Sequence, residues 1–114
     1  MTDPLQAWIT ECLEPVGTVT GRRMMGGVTL YLDGIVFAIV DDGDLWFKAD
    51  KVSDAAWDGA EAARFTYAKG DGAVGTMNYR REPGDVHDDP DAMRRWAALA
   101  LEAGLRSAAK KTRV

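Results

Sequence analysis

Apolar side chains recur along the chain with two different periods. From Leu5 to Leu13 they lie three and four positions apart, which is typical of one buried face of a helix. From Val28 to Leu32 apolar and polar residues alternate, as in a half-buried strand. The run from Ile35 to Val40 is apolar throughout, which predicts a central strand covered at least in part on both faces. The chain therefore begins with a helix and continues into a sheet.

Two Asp-Gly pairs predict the hairpins of this sheet. Asp33-Gly34 fits a two-residue type I′ turn, which needs a positive φ at both positions. Asp42-Gly43 predicts a second hairpin with Leu45 to Lys48 as the returning strand and a loop of either two or three residues. An earlier strand, Thr18 to Met24, precedes Gly26-Gly27. The first turn predicts a register with apolar residues opposite each other on one face, namely Leu32 with Ile35, Leu30 with Phe37 and Val28 with Ile39.

The middle of the chain predicts a helix and one more pair of strands. Asp50 is a residue type that caps helices, and Lys51 to Ala63 carries apolar residues at helical spacing. Gly59 weakens this helix and favours a short one. Arg64 to Tyr67 and Val74 to Tyr79 are rich in strand-forming residues and are separated by a glycine-rich turn, so a third hairpin is expected.

A last helix is predicted after Asp89, with Pro90 in its first position, where the missing N–H costs nothing. Its apolar stripe comprises Met93, Trp96, Ala97, Ala100, Leu101 and Leu105. Because tight turns make consecutive strands antiparallel, the expected fold is α+β, a single antiparallel sheet with helices packed mainly on one face, in the order α-β-β-β-α-β-β-α. One domain is expected over residues 1–114, with residues 107–114 forming a basic helix end or a loose tail.

Composition and charge narrow the class of protein. A chain of 114 residues with 46% hydrophobic residues can build a core without metal or disulfides. Its formal net charge of −4 argues against direct binding to DNA, which favours a basic face. Its N-terminus lacks the features of a secretory signal, and no apolar run approaches the ~20 residues of a membrane helix. We therefore expect a soluble, cytoplasmic protein without a membrane association.

The strongest candidate for a binding surface is the run Arg22-Arg23-Met24-Met25-Gly26-Gly27. The two arginines point to opposite faces of a strand, so they are either solvated charges paired with acidic residues or contacts for an anion or partner. The glycine pair matches no phosphate-binding motif and favours a tight turn or a close backbone approach. Lys48 lies beside Trp46, which is either a core residue or a binding anchor.

No catalytic constellation is visible. His87 lies among carboxylates without a second histidine, which argues against a metal site. Ser53 and Ser107 lack a nucleophile motif, and Cys12 lies on the apolar stripe of the first helix, where a buried thiol is expected. We predict no catalytic residue, metal or cofactor.

With these residues in view, the chain resembles the TfoX N-terminal domain family, named for a bacterial regulator of natural competence. The resemblance covers about Leu5 to Gly104 and lies in Arg22-Arg23-Met24-Met25-Gly26-Gly27, Leu30-Tyr31, Phe37-Ala38, Phe47-Lys48, Phe65-Thr66-Tyr67, Met77-Asn78-Tyr79 and Pro83. It implies a compact α+β domain without established catalytic residues. The longer competence regulators carry a second, C-terminal domain, and a chain ending at Val114 is expected to lack it.

Three hypotheses follow. The preferred one is a non-enzymatic protein-interaction domain, in regulation of transcription or competence by resemblance, with a contact region formed by Arg22, Arg23, Met24, Gly26, Gly27 and Lys48. The second is a small-anion or nucleotide site, or an enzymatic one, that uses the cations of this region and Tyr79. The third is an architectural homodimer built through a sheet edge or a helix face. The position of Arg22, Arg23 and Lys48 in the fold distinguishes between these three hypotheses.

Overall fold

The computed structural model describes residues 4–24, 27–68, 70, 72–84 and 86–112. Its helices are α1 (Pro4–Leu13), α2 (Asp54–Gly59) and α3 (Pro90–Thr112). Its strands are β1 (Val19–Met24), β2 (Gly27–Leu32), β3 (Ile35–Asp41), β4 (Asp44–Lys48), β5 (Arg64–Ala68) and β6 (Val74–Arg81). The predicted α+β class is confirmed. Four strands precede α2, where the predicted order has three, and they correspond to the four segments that were individually predicted as strands between Thr18 and Lys48.

All strands belong to one six-stranded antiparallel sheet with the order β1-β2-β3-β4-β6-β5. Both predicted Asp-Gly hairpins are present, with positive φ at Asp33 (49°) and Gly34 (85°) and at Asp42 (51°) and Gly43 (80°). Asp41 pairs with Asp44 across the second turn, which therefore has two residues. The order leaves β1 and β5 at the two edges of the sheet.

The predicted register between β2 and β3 is correct only beside the turn. Leu32 pairs with Ile35 as expected, but Leu30 pairs with Ala38 rather than Phe37. The register shifts between Leu30 and Tyr31, so that Phe37 is the additional residue of a β-bulge. As a consequence, Val28 lies opposite Val40 instead of Ile39, and both Phe37 and Ala38 are buried.

The three helices cover one face of the sheet, and the core lies between the helices and that face. Trp57 of α2 is fully buried and stacks on Phe47 of β4, with ring centroids 5.6 Å apart, and on Trp96 of α3 at 4.7 Å. The indole N–H of Trp8 in α1 donates to the Val86 carbonyl oxygen (3.1 Å). The opposite side of the sheet is termed the helix-free face below.

The helices differ from their predicted bounds in a physically simple way. α2 is short, Asp54–Gly59, because the preceding residues form a turn in which the amide of Ser53 donates to the Asp50 carboxylate (3.0 Å). Residues 107–112 continue α3 to Thr112, and residues 113–114 lie outside the described part of the chain. Among the described residues, no helix has the length and apolar character needed to cross a bilayer.

Candidate functional site

The two adjacent arginines of the candidate run lie on an edge strand. Arg22 is opposite Thr29 and Arg23 is opposite Val28, and both arginine side chains are exposed. Val28 packs against the core, so Arg23 lies on the helix-covered face and Arg22 on the helix-free face. Strand alternation thus places one guanidinium on each side of the same sheet edge.

Hydrogen bonding between β1 and β2 determines which backbone groups of β1 point outward. The amide of Asp33 donates to the carbonyl oxygen of Thr18 (2.9 Å), which makes this a hydrogen-bonded pair directly before β1. Such pairs alternate with non-bonded pairs in an antiparallel ladder. Val19, Gly21 and Arg23 therefore direct their N–H and C=O groups away from β2. We term this outer side of Val19–Met24, with the Arg22 and Arg23 side chains, the β1 edge.

Most other arginines of the chain have a carboxylate partner. Arg106 pairs with Asp50 at 2.6 Å, and further ion pairs are Arg64–Asp54, Arg80–Asp58, Arg81–Asp44 and Arg94–Asp91. In contrast, no ion pair joins Arg22 or Arg23 to a carboxylate in the described ranges. The sequence left two interpretations open: the arginines pair with acidic residues of the same chain, or they contact an anion or a partner. The described residues contain no carboxylate that supports the first.

Lys48 is separated from the β1 edge. It lies on β4 opposite Tyr79 of β6, and its Nζ is 5.2 Å from the centroid of the Tyr79 ring. Both residues are on the helix-free face, where Tyr79 is nevertheless only 9% exposed. Arg22 shares this face but lies three strands away, about 14 Å at the usual strand spacing. Lys48 therefore covers an aromatic ring instead of joining the arginines.

A row of opposed residues crosses the helix-free face. Starting at Arg22 it continues through Thr29, Ile39, Trp46 and Arg81. Trp46 is half-buried and packs edge-on against Phe65, with ring centroids 5.0 Å apart and an interplanar angle of 89°. The row is thus cationic at both ends and apolar in the middle, and Arg81 is held by Asp44 at 3.0 Å.

The glycine pair is only partly described. Gly27 begins β2 opposite Met24 and Asp41, and a Cβ at Gly27 would lie 2.7 Å from the Val40 carbonyl oxygen. This agrees with the predicted close backbone approach. The backbone of Met24 ends β1, and Gly26 lies outside the described residues. The structure therefore brings Arg22, Arg23, Met24 and Gly27 together and leaves Lys48 apart.

A buried arginine was missed by the sequence analysis. Arg80 is 3% exposed on the helix-covered face; its Nη1 lies 2.8 Å from Asp58 and donates to the Ala62 carbonyl oxygen (3.0 Å), and its Nη2 lies 3.3 Å from Asp54. These contacts join β6 to α2. The signal was available in strand parity, since Arg80 alternates with Tyr79 and Arg81 and must face the helices.

His87 contacts a carboxylate in the connection that follows β6. Its Nε2 lies 2.8 Å from Oε1 of Glu82, and Oε2 of the same carboxylate accepts from the Leu45 amide (3.0 Å). The backbone of Glu82 also donates to the Leu45 carbonyl oxygen (3.0 Å). Within the described ranges, no group of three or more His, Cys, Asp or Glu is arranged to hold a metal ion.

These features define a class: a small α+β domain with a one-sided helical layer and an exposed cationic strand at one edge of its sheet. The sequence model of the TfoX N-terminal domain matches residues 11–104, and the chain belongs to this family. Comparison with curated proteins gives no significant match.

Proposed function

We propose that this domain is a non-enzymatic protein-interaction module that binds its partner through the β1 edge. The proposal rests on the exposure of Arg22 and Arg23 and on their lack of a carboxylate partner among the described residues. Both are exposed on an edge strand, and no carboxylate of the described residues pairs with them. Arginine is the side chain best suited to bidentate contacts with carboxylates at an interface.

The net charge of the whole chain favours binding of an acidic partner at the β1 edge over other parts of the surface. The formal net charge is −4, so an acidic partner is repelled by most of the surface and attracted locally at Arg22 and Arg23. Such a local field favours one docking orientation and accelerates encounter at low ionic strength. A salt-dependent association rate is therefore expected.

Family membership supports the biological setting. The family takes its name from a bacterial regulator of natural competence, and we place this domain in the cytoplasm, in the regulation of transcription or of competence-related processes. Its contribution there would be protein contact and not direct binding to DNA, because the two guanidiniums diverge and a phosphate backbone needs several cations on one face.

The separation of Lys48 from the arginines weighs against a compact anion site. A small anion or nucleotide would need the three cations to converge, whereas Arg22 and Arg23 lie on opposite faces and Lys48 lies on another strand. The protein-interaction proposal needs no such convergence, since a partner segment can contact both sides of one edge.

The test is affinity capture from lysate of the source organism with three forms of the protein. The bait is wild type, the Arg22→Ala/Arg23→Ala variant, or a control with the same charge change, Lys51→Ala/Arg95→Ala, in exposed residues outside β1. We expect partners that are lost with the first variant and retained with the control. Equal thermal stability of the three forms is checked by circular dichroism. Identical partner lists for wild type and the β1 variant would refute the proposal.

A further inference from the structure

We infer that the partner contributes an extended acidic segment that pairs with β1 as an additional strand of the sheet. The inference rests on the proposed function and specifies how the β1 edge recognises its partner. Strand addition at an open sheet edge takes affinity from main-chain hydrogen bonds and specificity from alternate side chains. Both components are present on β1.

The backbone component is the outer ladder of β1. Val19, Gly21 and Arg23 each direct an N–H and a C=O away from β2, as the Thr18–Asp33 hydrogen bond fixes the phase of the pairing. A strand laid beside them would satisfy these donors and acceptors in the same alternating pattern. The inner groups of Thr20 and Arg22 already pair with β2 and would not change.

The edge is sterically open where this strand would lie. Residues 20–23 are exposed and Val19 is half-buried. On the side of Gly21 where a Cβ would project, the nearest atom is Nε2 of Gln6 in α1, which would be 2.7 Å from that Cβ. Gly21 lies opposite Leu30, so this contact is on the helix-covered face. α1 therefore covers one side of β1 and leaves its edge accessible.

The other edge of the sheet lacks the same charge. β5 carries one arginine, Arg64, whose Nη1 donates to Asn78 (2.6 Å) and whose Nη2 lies 3.8 Å from Asp54. Phe65 on the same strand packs against Trp46. Charge complementarity with an acidic segment is thus a property of β1 among the two edge strands.

The divergence of the two guanidiniums predicts a sequence rule for the segment. Successive residues of an added strand face opposite sides of the sheet, as Arg22 and Arg23 do. Two consecutive acidic residues would therefore place one carboxylate opposite each guanidinium. Two acidic residues separated by one position would both face the same side, and one of the arginines would remain unpaired. Opposite charges across neighbouring strands stabilise the pair, and like charges destabilise it.

The test uses the synthetic peptide Ser-Thr-Val-Thr-Asp-Asp-Val-Thr-Val-Ser, labelled for fluorescence anisotropy, at low salt. One comparison peptide has the same composition with the two aspartates separated by one residue, and a second has lysines in place of the aspartates. We expect the adjacent pair to bind tightest. The Arg22→Glu/Arg23→Glu variant should lose on the order of tenfold affinity for it and gain affinity for the lysine peptide. A Lys51→Glu/Arg95→Glu control should retain the preference of wild type.

Backbone pairing is tested independently by N-methylation of the peptide amides. Methyl groups at alternate positions should abolish binding for one parity only, because only every second amide of the added strand faces β1. In the protein, amide exchange followed by NMR should slow at Val19, Gly21 and Arg23 on binding, while Thr20 and Arg22 change little. Binding that is insensitive to methylation parity and to aspartate spacing would overturn strand addition.

The outcomes separate this inference from the proposed function. If captured partners depend on Arg22 and Arg23 but neither peptide series shows parity, the interaction surface stands and its strand-addition mode is wrong. If the peptides follow the rule but the captured partners are unchanged in the β1 variant, the proposed function is wrong. Protection of the β1 amides in the free protein together with a dimer in light scattering would show that a second copy occupies the edge, and would also overturn the inference.

Discussion

Arg106, near the end of α3, donates from Nε and Nη2 to the two carboxylate oxygens of Asp50, at 2.6 and 2.9 Å. Asp50 lies in the connection between β4 and α2, and its Oδ1 also accepts from the Ser53 amide (3.0 Å). One carboxylate therefore fastens the last turns of the long helix to the sheet and shapes the turn that begins α2. Bidentate arginine pairs of this kind are stronger than ordinary surface ion pairs.

This geometry predicts a specific acid sensitivity. The hydrogen bond from Arg106 lowers the pKa of Asp50 most. Burial of the carboxylate opposes this effect, and the hydrogen bonds from Ser53 add to it, so that the pKa falls from 3.8 to about 2. A carboxyl with a depressed folded pKa stabilises the fold above its unfolded pKa, and the contribution disappears as pH falls through about 2. We expect Asp50→Asn to lower the free energy of unfolding by about 1–2 kcal/mol at neutral pH and by less at pH ~2.5.

Urea unfolding at both pH values measures this difference. Asp88→Asn is the matched control, since Asp88 is exposed and forms no ion pair with a described residue. A constant difference between wild type and Asp50→Asn from neutral to acid pH would contradict the assignment.

Gly104 allows α3 to approach the sheet. A Cβ there would overlap the Val36 carbonyl oxygen and lie 2.9 Å from Cγ2 of Ile35. Alanine normally favours a helix interior over glycine by about 1 kcal/mol. We nevertheless expect Gly104→Ala to destabilise the domain by about 2 kcal/mol or more, because the helix must move away from β3.

Gly59, in the last turn of α2, is the matched position. A Cβ there meets no atom within 4 Å, so Gly59→Ala should leave stability unchanged or raise it by up to about 1 kcal/mol. Thermal and urea unfolding of the two variants measure the contrast. Equal effects of the two substitutions would show that close packing of α3 on the sheet is not what Gly104 provides.

Trp57 is predicted to be the most sensitive aromatic residue of the core. It is fully buried between Phe47 and Trp96, so Trp57→Ala should cost about 3–5 kcal/mol. Trp46→Ala, on the helix-free face, should cost clearly less because Trp46 is only half-buried.

Trp57→Phe distinguishes packing from hydrogen bonding. The indole Nε1 of Trp57 is buried without an acceptor among the described residues. Phenylalanine keeps most of the ring stacking and removes this N–H, so the loss should be about 1–2 kcal/mol. Denaturant unfolding of the three variants tests the order, and a Trp57→Phe loss as large as that of Trp57→Ala would indicate a bonding role for the indole.

Tyr79 is expected to titrate at unusually high pH. Burial, with a smaller contribution from Tyr31, raises the pKa of the Tyr79 hydroxyl above 10.0. A group whose folded pKa is raised stabilises the fold below its unfolded pKa, so this contribution falls as pH rises through the folded value. In a titration followed by absorbance at alkaline pH, the phenol that ionises at the highest pH should disappear in Tyr79→Phe. Removal of the same phase by Tyr31→Phe instead would reverse the assignment.

The sequence predicted the parts of the fold that depend on local chemistry. Asp33-Gly34 and Asp42-Gly43 adopt the left-handed conformations that a two-residue hairpin requires, and this follows from the residues alone. The bulge at Phe37 was not predicted, because an all-apolar strand carries no alternation from which its register can be inferred. Tertiary packing decides the register there, since the bulge lets Phe37 and Ala38 both be buried.

For the candidate site, too, the sequence predicted what depends on local strand geometry and not what depends on tertiary structure. Strand alternation alone separated Arg22 from Arg23, and the structure places them on opposite faces of β1. Spacing along the chain did not show that Lys48 lies three strands from β1, because the order of strands in a sheet is a long-range property. The edge position of β1, on which the proposed function depends, likewise cannot be obtained from spacing.

The position of two guanidiniums on opposite sides of one exposed strand has a consequence for self-association. If two molecules met strand to strand along β1, four positive side chains would be crowded around a single seam, with two on each side of it. Repulsion of that kind protects open strands from joining their own copies. The same residues that would attract an acidic chain therefore disfavour pairing of β1 with the β1 strand of a second copy.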